Sequence, residues 1–470
     1  MSTEQRPAGP RVVPGIHGPV LLVAATAALG GFLFGYDTAV INGTVDAIKE
    51  QFHIGSTFVG FVVSSALLGC AVGAWFAGPL ADRVGRVHVM LAAAAVFGIT
   101  SIGSSLAWDP VSLMIWRIFG GLAIGAASVI APAYIAEIAP AEIRGRLGSL
   151  QQLAIVTGIF ASLLVDQLLA YIAGGAADSV PWGGAAWRWM FAAAAIPATV
   201  YGILAARIPE SPRYLVAKRQ LQRAREVLAR FVGGDVDLRI KEINRSLEGG
   251  EQAVHLNDLR GPTFGLQAIV WTGILLSVFQ QFVGINVIFY YSSALWHSVG
   301  FSENSSFLFS TITSVTNIVC TLVGIALIDR IGRKPLLLIG AAGMTVSLVT
   351  MAICFATATG SGDDLKLGSA AGPIALVAAN VYVFAFGMSW GPAVWVLLGE
   401  MFNNKIRATA LAVAAAAQWL ANWLISTTFP TLADIGLAFA YGLYAAFALL
   451  AFVFVRAAVR ETKGRELEEM

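Results

Sequence analysis

Apolar stretches of about 20 residues recur twelve times along this 470-residue chain. At 1.5 Å per helical residue, each is long enough to cross a hydrocarbon core of about 30 Å. Only 12% of the residues are charged and 57% are hydrophobic. A soluble domain carries about 25% charged residues, so this chain has too little charge to clothe an ordinary water-facing surface. In lipid every backbone polar group needs an internal partner, which makes each stretch a helix. The expected architecture is an all-α membrane protein with spans at 19–42, 57–80, 88–107, 112–139, 148–173, 187–206, 264–297, 305–329, 335–357, 373–401, 406–429 and 434–458.

Lysine and arginine in the short loops set the orientation. Arg83, Arg86, Arg144, Arg146, Arg330, Arg333, Lys334, Lys405 and Arg407 fall in one set of loops; Lys49, Arg188 and Lys366 fall in the other. The first set is therefore cytoplasmic, and so are both termini. Between spans 6 and 7 the basic, amphipathic "RIPESPRYLVAKRQLQRAREVLARF" marks a soluble helical insert. The chain divides into a tail 1–18, a six-helix bundle 19–206, a cytoplasmic linker 207–263, a second six-helix bundle 264–458 and a tail 459–470. The first 18 residues are polar, with no sign of a cleavable leader. The bundles repeat one another: "GPLADRVGR" resembles "IALIDRIGRK", and "YIAEIAPAEIRG" resembles "LLGEMFNNKIRA". Two parallel six-span repeats predict a binding site near the bilayer midplane, between them.

Several chemistries have no support. Cys70, Cys320 and Cys354 lie singly in apolar runs, and the five histidines form no ligand pair, so neither a metal nor another cofactor is expected. The net charge of +2 gives no reason to expect nucleic acid. No nucleophile–base pair or phosphate loop suggests an enzyme.

The polar residues inside the spans carry the functional argument. Asp37 lies about five residues before the outer end of span 1, and Arg117 about five residues after the outer start of span 4. At 1.5 Å per residue both are about 8 Å inside the same face. Either charge alone would be costly there; facing each other, they can pair. Burial favours the protonated acid and the guanidinium favours the ionised one. A moving arginine would therefore load or unload a proton on Asp37. Spans 5, 7, 8 and 11 hold neutral amides instead: Gln151, Gln152, Gln280, Gln281, Asn286, Asn317, Gln418 and Asn422. Each amide both donates and accepts, which suits an uncharged polyol, and indoles such as Trp395 and Trp419 can stack on a sugar ring. Without a ligand the amides would serve as glue between helices, at about 0.6 kcal/mol per bond. Gly391 and Pro392 in "SWGP" are expected to break span 10.

At the cytoplasmic ends, Asp82, Arg83 and Arg86 occupy one tight turn and Asp329 and Arg333 its counterpart, with Glu137 near Arg144 and Glu400 near Arg407. These ion pairs are expected to form a cytoplasmic gate. The plainer alternative is topology alone, with surface pairs worth about 0–1 kcal/mol each.

From 19 to 465 the chain resembles the sugar porter family of the major facilitator superfamily. The resemblance rests on "GGFLFGYDTAVING", "DRVGR", "RIFGGLAIGAASVIAPAYIAEIAPAEIRG", "PESPRYL", "QQFVGINVIFYYS", "DRIGRK", "SWGPAVWVLLGEMF" and "QWLANW", all in family order. It implies the major facilitator fold and transport of a monosaccharide by alternating access. Matched residue by residue, it implies sugar contacts at Gln152, Gln280, Gln281, Asn286, Asn317, Trp395 and Gln418, with Phe34, Tyr291, Gly391 and Trp419 as neighbours. Ile159 stands where similar xylose symporters carry glutamine and glucose-handling relatives carry isoleucine, which favours a hexose. Symporters of the family carry an aspartate at the position of Asp37 and facilitators lack it. The expected function is thus proton-coupled symport of a monosaccharide, glucose first, in the bacterial inner membrane. A facilitator of the same fold is the near alternative. A membrane sugar sensor is disfavoured by the short segment after span 12, and drug antiport by the amide cluster.

Overall fold

The computed structural model describes residues 18–139, 144–232, 235–248, 259–359, 366–402 and 406–462. Twelve of its helices are long and apolar enough to cross a membrane: Gly18–Phe52, Ser56–Val84, Arg86–Ser105, Pro110–Ile138, Leu147–Ala173, Ala186–Ala205, Ala268–Ser298, Glu303–Ile328, Arg333–Ala356, Ala371–Leu398, Thr409–Ile435 and Leu437–Ala458. We refer to these as spans 1 to 12. Their outward surfaces carry Trp75, Phe76, Ile99, Val346 and Ile353, each more than 60% exposed. In water such surfaces would be penalised; against lipid tails they are matched.

Within the first half, span 1 packs on span 5 and span 2 on span 4; in the second half, span 9 packs on spans 10 and 12. Small residues permit this closeness. A Cβ added to Gly121 of span 4 would come within 2.0 Å of the Ala66 carbonyl oxygen in span 2. The halves meet along two seams, span 2 against span 11 and span 5 against span 8. Between the halves lie the short helices Pro212–Ala217, Leu221–Val227 and Val236–Glu248, then a hairpin pairing Arg260–Gly261 with Gly265–Leu266. That hairpin delays span 7 to Ala268, four residues beyond the expected 264.

Four spans are interrupted. Span 1 runs as a helix to Val40, passes through the turn Asn42–Thr44 and resumes at Val45. Span 6 breaks at Ala194, between Ala193 and Ala195. Span 7 breaks at Gly284, between Phe282 and Ile285. Span 10 breaks at Met388–Ser389 and restarts at Trp390. The expected break at Gly391–Pro392 is thus displaced. Pro392 sits in the first turn of the new helix, where its missing N–H would have no helical partner anyway.

Candidate functional site

The break in span 7 follows directly on Gln280 and Gln281, which are 3% and 5% exposed. Gln280 Nε2 donates to the Trp390 carbonyl at 2.9 Å, tying the end of one broken helix to the start of another. Trp390 is anchored in turn by its indole N–H on the Leu337 carbonyl, 2.9 Å away. Gln281 Oε1 accepts from Asn286 Nδ2 at 2.5 Å. Asn317 is buried on span 8, Gln418 half-buried on span 11 and Gln152 half-buried on span 5. Buried Oε1 atoms of Gln280 and Gln418 have no hydrogen-bond partner among the described residues. A buried orphan acceptor costs about 1–3 kcal/mol, and a hydroxyl donor would relieve it. Phe34 meets the Trp419 ring edge-on at 5.7 Å, joining span 1 to span 11. Gly391 is half-buried and Trp395 is 43% exposed. The Tyr291 hydroxyl is already engaged, donating to the Ser426 carbonyl at 2.7 Å, so it braces span 11.

Asp37 and Arg117 do face one another, as equal depth required. Arg117 Nη1 stands 3.8 Å from Asp37 Oδ1, with the two side chains 3% and 14% exposed. That distance is an ion pair without a hydrogen bond. Arg117 Nη2 donates instead to the Val63 carbonyl at 3.3 Å, and its guanidinium lies 5.7 Å from the Phe191 ring centre. The arginine is therefore held by span 2 and span 6 as well as by the acid.

The arginine-rich end is built twice. In the first half, Arg86 grips Glu137 with Nε and Nη2 at 3.1 and 3.0 Å and reaches Asp82 at 2.9 Å. Glu210 accepts from the backbone N–H of Arg86 at 2.9 Å, and Ser211 donates to Glu137. In the second half, Arg333 grips Glu400 at 3.1 and 2.8 Å, Glu461 accepts from the N–H groups of Arg333 and Lys334, and Thr462 donates to Glu400. Gly85 and Gly332 turn the chain before each arginine at φ +104° and +101°, a region that favours glycine. Among the described residues Glu137 thus pairs with Arg86 and Glu400 with Arg333. The side chains of Arg144, Asp329 and Arg407 lie outside the described residues. Arg83 is exposed.

At the opposite end the contacts run between the halves. Asn42 Nδ2 donates to the Phe289 carbonyl and to Ser292 Oγ, each at 2.9 Å. Its Oδ1 accepts from the backbone N–H of Ser293 at 3.0 Å and from the Ser293 hydroxyl. Ser64 meets Thr427 at 2.7 Å, Thr57 meets Thr431 at 3.1 Å, and Ser56 donates to Asp434 at 3.1 Å. His297 Nδ1 and Asp46 Oδ2 are 3.2 Å apart.

A broken helix that presents amides, an acid–arginine pair inside the first half and a duplicated turn clamp make a distinctive set. The sequence profile described as "Sugar (and other) transporter" matches residues 23–470. The chain belongs to the sugar porter family of the major facilitator superfamily. It is 56% identical to a glucose transport protein of Synechocystis sp. over 454 residues, covering 96% of this chain and 97% of that one. It is 39% identical to the D-xylose-proton symporter of Escherichia coli, covering 96% and 95%. The xylose transporter of E. coli, in a partially occluded inward-open conformation, superposes with a TM-score of 0.82 at 35% identity, over 96% of this chain and all of that one.

Some working residues of this sugar porter escape a reading of its sequence. Glu210 and Glu461 cap the clamps, and a signal for them exists: Glu-Ser follows span 6 as Glu-Thr follows span 12. Asn42, the centre of the contacts between the halves, closes the motif "GGFLFGYDTAVING" as Asn-Gly, a signal the sequence offered without a role attached. Asp166 is fully buried in span 5, a second acid inside the first half that the sequence reading passes over.

Proposed function

We propose that this sugar porter is a multi-pass plasma-membrane protein that moves a monosaccharide, glucose foremost, together with a proton by alternating access. Gln280, Gln281, Asn286, Asn317 and Gln418 of the second half and Gln152 of the first are the sugar's hydrogen-bonding partners, with Trp395 and Trp419 against its ring. The orphan acceptors of Gln280 and Gln418 carry this reading, because they want hydroxyl donors and no charge. The 56% identity to a glucose transport protein favours a hexose. The arginine-rich turns face the cytoplasm, as their charge requires. The conformation is then closed on the outside, through Asn42, Ser64 and Thr427.

Asp37 is the proton carrier. An ionised carboxylate is tolerable in a low-dielectric site while a guanidinium stands beside it. The 3.8 Å gap to Arg117 is loose enough for the arginine side chain to shift within the first half during the cycle. When the arginine withdraws, the acid is better off neutral and holds its proton. Arginine itself stays charged throughout. Resident enzymatic chemistry has no role in this scheme, and the partners are the sugar, the proton and the bilayer.

The test is uptake of labelled D-glucose and D-xylose into proteoliposomes with and without an inward proton gradient. Accumulation that follows the gradient supports symport. Equilibration alone, at the same rate with or without the gradient, would make the protein a facilitator in which Asp37 and Arg117 only fix helix packing.

A further inference from the structure

Asp166 has no place in that scheme, yet its environment is unusual. It is 0% exposed, and among the described residues neither carboxylate oxygen has a hydrogen-bond partner. The backbone of Gly43 packs directly against it. The Tyr36 phenol on span 1 is near enough to feel its charge, and its hydroxyl is also buried without a partner. One turn earlier on span 5, the Ser162 hydroxyl is a third buried orphan.

Among the described residues no cation faces Asp166 from the elements packed around it. From span 1 there is Tyr36, since Asp37 is turned to Arg117 of span 4. From span 6, Arg188 is committed to the carbonyls of Ser105 and Ala107, both at 2.8 Å. From span 8, Glu303 accepts from the Ala176 N–H at 2.8 Å, beyond the end of span 5. An ionised carboxylate in such surroundings would be far more costly than a neutral one.

The position of Gly43 links this acid to the seal between the halves. A Cβ on Gly43 would lie 2.8–2.9 Å from the Cβ, Cγ and Oδ2 of Asp166, so the turn Asn42–Thr44 rests directly on the carboxyl. The neighbouring residue in that turn is Asn42, whose side chain makes four of the hydrogen bonds between the halves.

We propose that Asp166 is a second protonation site of this transporter, which takes a proton from the outer side as the Asn42–Thr44 turn seats and the outer ends close. The ligand is the proton itself, bound as a neutral carboxylic acid under Gly43. When the outer ends part, water reaches the carboxyl from about seven residues inside the end of span 5, roughly 10 Å, and the proton returns outside. The site sets how readily the outer side shuts, and it is separate from the sugar coupling assigned to Asp37.

Label pairs on Glu50 and Ile435, in the full chain in proteoliposomes, would read the outer distance as pH is varied. The native cysteines are buried and leave such labelling clean. The measurement is made in Asp37→Asn, His297→Gln protein, because both those groups lie near the path and one pairs across the halves. The closed-to-open ratio should fall as pH rises, by up to tenfold per pH unit, the limit for one proton. Adding Asp166→Asn should leave the ratio high and independent of pH. A pH response that persists with Asp166→Asn, or one absent from the starting protein, overturns the proposal. Should Asp166→Asn not fold, infrared spectra of the Asp37→Asn protein decide. A protonated-carboxyl stretch that shifts in deuterated water and disappears on outer opening upholds the site; its absence in the closed state overturns it. Counterflow of labelled glucose, run alongside, reports on sugar transport independently.

Discussion

Inside its spans the first half adds ionisable groups to its neutral polar ones: Arg117 and Asp166 are buried, and Asp37 is nearly so. In the second half the corresponding interior is amide: Gln280, Gln281 and Asn317 are buried and neutral. Both halves nevertheless carry the same clamp at the arginine-rich end, down to the glycine turn and the hydroxyl that donates to the gripped glutamate. What is duplicated is the scaffold, and what has diverged is the chemistry inside it. On the proposed reading, proton chemistry in one body and most of the sugar's amides in the other make coupling a matter of how the bodies move together. It also explains the nature of the contacts between them. The clamps are charged and lie within a half, where nothing needs to break; the seal between the halves is mostly neutral hydrogen bonds, which can open each cycle.

The strongest way to break this division is Asp37→Asn. Accumulation of glucose driven by a proton gradient should be abolished, while exchange of labelled for unlabelled glucose should continue within a fewfold of the wild type. The sugar contacts lie on other residues, and exchange needs no net proton movement. If the variant still concentrates glucose when the outside is acidified, the proton is carried elsewhere and the first half is not the proton body.

Next in size is the clamp. Arg86→Ala leaves Glu137, only 16% exposed, without its guanidinium. Removing one partner of a buried pair costs about 3–5 kcal/mol, and the partial exposure here points to the lower end. Arg333→Ala should cost somewhat less, since Glu400 is 27% exposed. Thermal unfolding in detergent measures both. Equal and negligible shifts would mean the clamps are surface pairs that serve topology alone.

The clamps also show where sequence reasoning reaches its end. Span positions and the depth match of Asp37 with Arg117 follow from rise per residue, because helices in lipid are nearly straight rulers. Which arginine meets Glu137 does not follow. Arg86, 51 residues away along the chain, is delivered by the packing of span 3 against span 4. The break in span 10 was sought at Gly391–Pro392, the residues least fit for a helix. It falls at Met388–Ser389, because proline is tolerated in a first turn. Asp166 and Asn42 gain no role from the sequence for a related reason: which way a polar residue in a span faces depends on helix packing. The amides of span 7 were legible because they come as a cluster, and clusters are hard to explain as glue.

A third prediction sharpens the sugar side. Gln281→Ala removes a buried amide and leaves Asn286 without the acceptor it uses at 2.5 Å. Loss of glucose affinity by about 1–3 kcal/mol is expected, roughly 5- to 150-fold in apparent Kd, with proton-driven uptake still coupled. Titration of the purified protein with glucose measures it, and unchanged affinity would remove Gln281 from the site.

The smallest effect tests whether the seal is truly separate from the scaffold. Ser64 and Thr427 exchange a 2.7 Å hydrogen bond between span 2 and span 11, both side chains buried. Hydrogen bonds between helices in a membrane contribute about 0.6 kcal/mol on average. Ser64→Ala should therefore lower the outer-closed population by about threefold and hardly move the unfolding temperature, because each half keeps its own clamp and its own packing. Arg86→Ala should do the reverse, lowering stability with little change in the outer distance. Measuring both quantities on both variants crosses the comparison. If Ser64→Ala destabilises the fold as Arg86→Ala does, the seal is part of the scaffold, and the two halves are not the independent rigid bodies that alternating access requires.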